Sequence, residues 1–313
     1  MDTRLSINGG CRLDDWGVIR ASGADAAKFL QGQLSNDVIS LPVERARLAG
    51  FCSAKGRLQA SFVIWRESAG DGFLLACSAS LLAPTLKRLS MFVLRAQCRL
   101  SDASGEVALW GVAGDAAATL SGGAPAWERH EHGALTVIRL PDAAATTRCL
   151  VATPARVDIG LPPGGSLSLA TWRWLEVRSG IVTIEAATVD RFVPQMINYE
   201  LVGGVDFQKG CYPGQEVVAR SQYRGTTKRR TFLFDCDAPI RAGQDVYASS
   251  AREPAGTVAS AAPDPSGQGA SALVEVRLAA LGEGVLLLGS TDGPPLRQGA
   301  LPYPVPIEAE AAA

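Results

Sequence analysis

The apolar positions in the first half of the chain alternate between helical and strand spacing. Residues 22–25 resemble a capping box, and apolar residues at helical spacing follow from Ala26 to Leu34. Residues 51–66 have the pattern of a hairpin whose turn is Lys55-Gly56-Arg57. The remaining pattern predicts strands over 73–77, 109–112 and 135–140, a helix over 84–92 with Pro84 in its first turn, and a short helix over 114–124.

A further helix is predicted behind a proline- and glycine-rich loop at 161–166. Ser168 is its N-cap, Gly180 ends it, and Trp172, Trp174 and Leu175 face a core. After Arg230 the pattern changes to short strands separated by Gly, Pro and Ser, over residues 232–236, 245–247, 256–259, 272–278 and 285–288. Such spacing is typical of a small antiparallel barrel or sandwich of about 80 residues. We therefore divide the chain into domains 1–230 and 231–313, with an exposed loop at 263–269 and a loose tail from 302.

Composition restricts the functional class. The 313 residues carry 30 Lys+Arg and 31 Asp+Glu, for a formal net charge of -1, which argues against binding nucleic acid by bulk charge. A hydrophobic content of 47% against 19% charged residues excludes an acidic disordered chain. The first twenty residues contain no apolar signal region and no stretch is long enough to span a bilayer, so we expect a cytoplasmic protein without a membrane partner.

Seven cysteines lie far apart, with no CxxC pair or Cys/His cluster. We expect free thiols, mostly buried as small apolar side chains, and no metal site within one chain. Cys211 is the exception, because its neighbours are polar and glycine-rich.

One segment, residues 208–230, has six basic residues against one glutamate. It carries a net +5, so the rest of the chain carries -6. With Pro213 as the first residue of a helix, Cys211 would lie just before a helix N-terminus and beside Lys209, where the thiolate and bound anions are favoured. Alternatives remain open: Tyr212 and Tyr223 as stacking partners or core residues, Gln215 and Glu216 as simple caps, and Arg229 and Arg230 as a solvated face.

The motif Lys209-Gly-Cys-Tyr-Pro-Gly-Gln-Glu216 resembles the signature of the YgfZ family, folate-binding relatives of the glycine-cleavage T-protein, an aminomethyltransferase. The stretch Phe29-Leu-Gln-Gly-Gln-Leu-Ser-Asn-Asp37 is similar to one shared by both families, as is Leu175-Glu-Val-Arg-Ser-Gly180. The resemblance implies an α+β fold. Two T-protein-like subdomains within 1–230, each continuous or discontinuous in sequence, would surround a central channel. A C-terminal antiparallel β-barrel would lie beside them.

The resemblance also implies a function and a site. The protein would bind a tetrahydrofolate and support iron–sulfur cluster assembly or repair, and thereby tRNA modification, with iron–sulfur enzymes or assembly proteins as partners. Glu176 would hold the pterin, because a carboxylate accepts two N–H bonds from an aminopyrimidine edge. The residues taken to contact folate are Glu176, Tyr212, Gln215, Glu216, Arg220 and Arg224. Cys211 and Lys209 are the candidate catalytic pair, and Cys211 is also a candidate contact to a transient cluster that one chain cannot hold alone.

Whether the protein is an enzyme stays open. The alternative is a folate-dependent aminomethyltransferase. The T-protein aspartate used for folate chemistry would fall within residues 74–83, which contain no acidic residue, and this weakens the alternative. A third hypothesis, direct RNA binding through the +5 segment, is the least favoured because the whole chain is not basic.

Overall fold

The structure is a computed structural model that describes residues 7–68, 70–157, 159–160, 165–223, 227–249, 252–282 and 284–306. The first ten strands are β1 (Gly9–Arg12), β2 (Trp16–Ser22), β3 (Ala46–Cys52), β4 (Leu58–Arg66), β5 (Phe73–Ser78), β6 (Arg99–Asp102), β7 (Val107–Ala113), β8 (Arg129–His132), β9 (Leu135–Ala143) and β10 (Thr146–Pro154). The helices are α1 (Ala26–Gln31), α2 (Ala79–Ser90), α3 (Asp115–Ser121), α4 (Leu169–Arg178) and α5 (Gln215–Tyr223). The last strands are β11 (Arg229–Cys236), β12 (Asp245–Ala248), β13 (Gly256–Pro263), β14 (Ala270–Arg277), β15 (Leu286–Leu288) and β16 (Pro295–Gln298).

The first ten strands form two five-stranded sheets. The first sheet has the order β3-β4-β5-β2-β6 and the second the order β1-β7-β10-β9-β8, with antiparallel pairing throughout. Strand β1 opens the described chain yet pairs with β7, so the second sheet combines segments from both sides of the first. The predicted α+β class is confirmed.

The sequence of strand β4 is almost continuously apolar because both faces of the strand are buried. Its side chains alternate between two cores: Phe62 and Ile64 pack with α1 and α2, while Val63 and Trp65 belong to the larger core shared with the second sheet and α4. A strand buried on both faces needs apolar residues at every position rather than at every second one. The first sheet is therefore a central layer of the molecule.

The C-terminal strands close into a barrel of order β11-β14-β13-β12-β15-β16. The five strands predicted for this region are all present, and the expected barrel is confirmed. Strand β16, which pairs with both β11 and β15, was not predicted, because Pro295 and Arg297 interrupt its apolar pattern. Trp174 donates its indole N–H to Ser271 Oγ at 3.0 Å, which attaches α4 to the barrel.

The helix predictions have a mixed outcome. Ser168 caps α4 by accepting the Thr171 N–H at 3.0 Å, as predicted, and Trp172 and Leu175 are fully buried. Helix α2 begins at Ala79, not at Pro84, because its apolar face already begins at Leu81; the chain gives up one backbone hydrogen bond at Pro84.

The helix predicted to start at Pro213 begins instead at Gln215. Gly214 has φ +78°, a left-handed conformation that cannot belong to the helix. The predicted hairpin turn, the strands at 73–77, 109–112 and 135–140, and the short helix α3 are confirmed. Residues 161–164 of the predicted loop and 307–313 of the predicted tail lie outside the described residues. In the described part of the chain, no helix is both long and apolar enough to cross a membrane.

Candidate functional site

The motif turn, residues 209–214, is anchored by a buried lysine. Lys209 is 9% exposed, and its ammonium donates to the backbone carbonyls of Gln31 and Leu34. Gln31 is the last residue of α1, and Leu34 follows the helix. The nitrogen lies 5.0 Å from the centre of the Tyr212 ring. Burial lowers the pKa of Lys209 to about 8, against the opposing pull of Asp37 and nearby acidic groups. The motif and the residue 29–37 stretch, separate in sequence, thus meet in space.

Two glycines let the motif turn approach the hairpin turn at 53–57. A Cβ on Gly214 would lie 2.3 Å from the Ser53 carbonyl oxygen and 2.6 Å from the Gly56 backbone. Gly56 has φ +71°, and its own Cβ would lie 2.9 Å from Val217. Only residues without side chains permit this contact. The turn predicted from Lys55-Gly56-Arg57 is therefore part of the support for the motif.

Cys211 is the exposed member of the seven cysteines, all of which the structure describes. Cys98 is half-buried and the remaining thiols are buried, in line with the predicted core role. Burial raises the pKa of Cys52 and Cys77 to about 12 and that of Cys149 to about 11, so these thiols stay protonated at neutral pH. Cys211 lies four residues before Gln215, so it does not adjoin the helix N-terminus as expected.

The other motif residues lie in different environments. Tyr212 is buried in the main core beside Cys52; its hydroxyl has no hydrogen-bond partner among the described residues, and burial raises its pKa strongly. Glu216 and Arg220 form an exposed ion pair of 2.9 Å on α5, and Gln215 is half-buried at the start of that helix. Arg224 lies outside the described residues.

The basic run at the end of the segment is not a solvated face. Arg230 is buried and pairs with Glu200, while Arg229 pairs with Glu275. The interpretation of Arg229 and Arg230 as a solvated face was wrong. Their carboxylate partners come from distant parts of the sequence, so local spacing does not reveal them. Arg230 is consequently unavailable to a ligand, while the half-buried Arg229 is engaged with Glu275.

A cleft opens between the two sheets and α4. It contains about 450 Å³ of space, part of it open to solvent. Its lining includes three aromatic and three polar side chains: Trp16, Trp127, Tyr199, Ser61, Arg148 and Glu176. A concave lining of aromatic side chains with a few polar groups is the composition of a small-molecule site. Glu176, identified through the family resemblance, is part of this lining.

Glu176 is held by an ion-pair chain. One carboxylate oxygen, Oε2, accepts from Arg173, and the other has no hydrogen bond to the described residues. Arg173 also contacts Asp15, with Nε 2.7 Å from Oδ2, and its guanidinium lies 6.0 Å from the Trp16 ring. The two carboxylates raise the pKa of Arg173 despite its burial. Glu176 is thus oriented by Arg173, and one of its oxygens keeps no hydrogen bond to the described residues.

Two cleft residues were missed from the sequence. Trp16 has a buried indole N–H without a partner among the described residues. Arg148, on β10, is 2% exposed, and among the described residues its side chain donates only to the Pro141 carbonyl, at 3.1 and 3.0 Å. Arg148 carries no local signal, because an arginine in a strand is usually at the surface.

Comparison with known proteins assigns the family. No protein-family model matches the chain. The tRNA-modifying protein YgfZ of Escherichia coli O127:H6 is 32% identical over 245 residues, covering 75% of this chain and 74% of that protein. The YgfZ proteins of E. coli strain SMS-3-5 and of Shigella boydii serotype 4 are each 33% identical over 247 residues, with the same coverage.

The chain belongs to the YgfZ family. Its curated relatives are named tRNA-modifying proteins, and the resemblance noted from the KGCYPGQE motif is confirmed. The glycine cleavage system aminomethyltransferase T from Bartonella henselae superposes with a TM-score of 0.75 over 95% of this chain and 86% of that one, at 18% identity. This likeness confirms the expected T-protein-like fold.

In this YgfZ-family chain, strand β3 connects the motif turn to the cleft. Leu48 lines the cleft, and Cys52, at the other end of the strand, adjoins Tyr212. At about 3.4 Å per residue, four residues of strand separate the two places by roughly 14 Å. The cleft and Cys211 are therefore neighbouring but distinct places.

Proposed function

We propose that this YgfZ-family protein binds a tetrahydrofolate in the cleft and supports iron–sulfur cluster assembly or repair, and thereby tRNA modification, with Cys211 as its reactive thiol. The observation that carries the proposal is Glu176, whose carboxylate lines the cleft with one oxygen free. Tetrahydrofolate carries one-carbon units.

The cleft residues fit a pterin. The aminopyrimidine edge of a pterin presents neighbouring N–H donors, which a carboxylate accepts in fork geometry. Trp16 adds a buried N–H without a partner among the described residues, available to a ring acceptor. Trp16, Trp127 and Tyr199 give the cleft aromatic surface, on which a flat heterocycle packs well.

Cys211 suits a role outside the cleft. Its thiol is exposed on a turn that is fixed by Lys209 and Gly214, so it can meet a partner without rearrangement of the chain. Among the described residues, no group of three or more His, Cys, Asp or Glu side chains could hold a metal ion. A cluster contacted by Cys211 needs further ligands from a partner.

Aminomethyl transfer is less well supported. The stretch from β5 into α2 lacks an acidic side chain, and Asp15, whose backbone contacts it, is already paired with Arg173. Asp15 reaches this stretch through its backbone, whose carbonyl accepts the Ala79 N–H at 2.9 Å.

Calorimetry with tetrahydrofolate under anaerobic conditions tests the binding site. Glu176→Gln keeps the shape but removes the charge, and we expect affinity to fall by about 10- to 100-fold, the worth of a hydrogen bond to a charged group. Glu253→Gln, an exposed glutamate on the barrel, is the matched control and should bind like the wild type. Wild-type affinity in Glu176→Gln would contradict the assignment.

Complementation tests the thiol. In cells that lack the endogenous protein, Cys211→Ser should fail to restore the thiolated fraction of tRNA and the activity of iron–sulfur enzymes. Cys98→Ser, at a half-buried cysteine, should restore both. Full restoration by Cys211→Ser, at equal protein level, would remove Cys211 from the proposal.

A further inference from the structure

Arg148 is a buried cation that has no carboxylate partner in the part of the chain that the structure describes. Its Nε and Nη2 share one acceptor, the Pro141 carbonyl, and its Nη1 has no hydrogen bond to the described residues. The guanidinium lies 5.5 Å from the centre of the Trp172 ring and lines the cleft. No carboxylate of the described residues lies within ion-pair distance of it.

Arg129, another buried arginine of this fold, has a carboxylate partner and offers a comparison. It is 4% exposed, and it donates to the Val43 carbonyl, to Ser68 Oγ and to the carboxylate of Glu131. Burial of a charge is costly unless hydrogen bonds and a counter-charge compensate. Arg148 lacks that compensation, and desolvation lowers its pKa to about 10 although Glu176 attracts the charged form.

Arg148 and Glu176 line the same cleft, which places a donor and an acceptor within one ligand site. A ligand that fills both needs N–H groups for the carboxylate and, beside them, an oxygen for the guanidinium. A 2-amino-4-oxo heterocycle has that edge, because its ring carbonyl is the direct neighbour of a ring N–H.

We propose that Arg148 is a specificity-determining residue of the cleft, which donates to the ring carbonyl of a ligand whose neighbouring N–H groups bind Glu176. This inference rests on the proposed folate site and names the ligand class, the 4-oxo pteridines. A 4-amino pteridine presents an N–H donor at the same position. It leaves the buried guanidinium unpaired and is rejected.

The probes are tetrahydrofolate and tetrahydroaminopterin, which carry oxygen or amine at C4; the 4-amino ring also lacks the N3–H that Glu176 would accept. We expect calorimetry to show that wild type prefers tetrahydrofolate by about 10- to 100-fold. Arg148→Met should lose the part of this preference that comes from the C4 oxygen, while the part that comes from the N3–H and Glu176 remains; Arg148→Lys should lose less because it keeps a donor without the planar fork. Arg129→Met should keep the preference.

Thermal unfolding without ligand separates recognition from a structural role. Arg148→Met should be as stable as wild type or more stable, since an apolar residue removes an uncompensated buried charge. Arg129→Met should unfold at lower temperature, because it removes the ion pair with Glu131 and leaves the Val43 carbonyl without its donor. A lowered unfolding temperature or failure to fold in Arg148→Met would overturn the inference, as would an unchanged preference in Arg148→Lys.

The remaining outcomes distinguish the two proposals. If wild type binds both pteridines equally, or if Arg148→Met keeps the preference, the role of Arg148 is wrong while the Glu176 site stands. If wild type binds neither pteridine, the folate proposal fails and this inference fails with it.

Discussion

The motif turn and the cleft differ in how their charged groups are paired. In the motif turn, the ammonium of Lys209 donates to two backbone carbonyls. Arg229 and Arg230, which end the +5 segment, are paired with carboxylates. In the cleft, Arg148 and Trp16 keep N–H groups without partners in the described part of the chain, and Glu176 keeps a free oxygen.

The difference separates support from binding. Buried charges are normally paired, so the paired charges around the motif turn help to fix its conformation, while the incompletely paired charges of the cleft can meet a ligand or water. The contrast concerns charged groups, because the Tyr212 hydroxyl of the motif turn also lacks a partner among the described residues. A cluster of charges in the sequence is therefore a poor guide to a binding site until its internal partners are known.

The largest effect is expected at the glycine contact of the motif turn. In Gly214→Ala the new Cβ meets the Ser53 carbonyl at 2.3 Å in a left-handed conformation, and we expect a loss of about 3–5 kcal/mol in the free energy of unfolding. Gly210→Ala, in the same turn, is the control, because its Cβ would meet nothing within 4 Å. Urea unfolding measures both, and equal stabilities would show that the turn is not rigidly held.

A smaller loss is expected when the buried lysine is removed. Lys209→Met leaves the carbonyls of Gln31 and Leu34 without their donor, which costs about 2–3 kcal/mol. Lys55→Met, at an exposed lysine of the facing turn, should change stability by less than about 0.5 kcal/mol. If Lys209→Met leaves the free energy of unfolding unchanged, the lysine does not stabilise the motif turn and is available for chemistry.

The pH dependence of the stability difference between wild type and Lys209→Met tests the buried lysine further. The pKa of Lys209 is about 8 in the folded protein and about 10.4 in an unfolded chain, so the unfolded state binds more protons between these values. The stability of wild type relative to Lys209→Met should therefore rise with pH from 8 to 10, by at most about 1.4 kcal/mol per pH unit. The neutral amine still has two N–H donors for the two carbonyls. Urea unfolding at pH 7, 8.5 and 10 checks this, and a constant difference would contradict it.

The smallest effect is expected on the exposed face of α5. Arg220→Ala removes a solvent-exposed i,i+4 pair with Glu216 and should lower the free energy of unfolding by no more than about 0.5 kcal/mol. Thermal unfolding measures it. A loss above about 1 kcal/mol would place Arg220 among the supporting groups of the motif turn.

The sequence predicted local features well where a period or a cap decides them. The hairpin around Gly56, the Ser168 cap and the barrel strands follow from side-chain alternation and turn residues. The Pro84 and Pro213 helix starts were misplaced, because apolar contacts with the sheet and a left-handed glycine fix those boundaries. Glu176 was found through a family resemblance.

Arg148, Arg229 and Arg230 could not be interpreted from the sequence for one reason. The partners of Arg229 and Arg230 are Glu275 and Glu200, and the environment of Arg148 is set by Trp172 and Pro141. Long-range contacts of this kind leave no trace in local spacing.

The pairing of β1 with β7 has a consequence for how the protein is made. The first sheet can assemble from a continuous stretch of chain, but β1 must wait until β7, about a hundred residues further on, leaves the ribosome, which takes on the order of 5–20 s. Burial, together with the charges of Glu176 and Asp15, raises the pKa of Cys11 on β1. Arg148, Glu176 and Tyr199 of the cleft lining also follow β7 in the chain, so the nascent chain completes the cleft late.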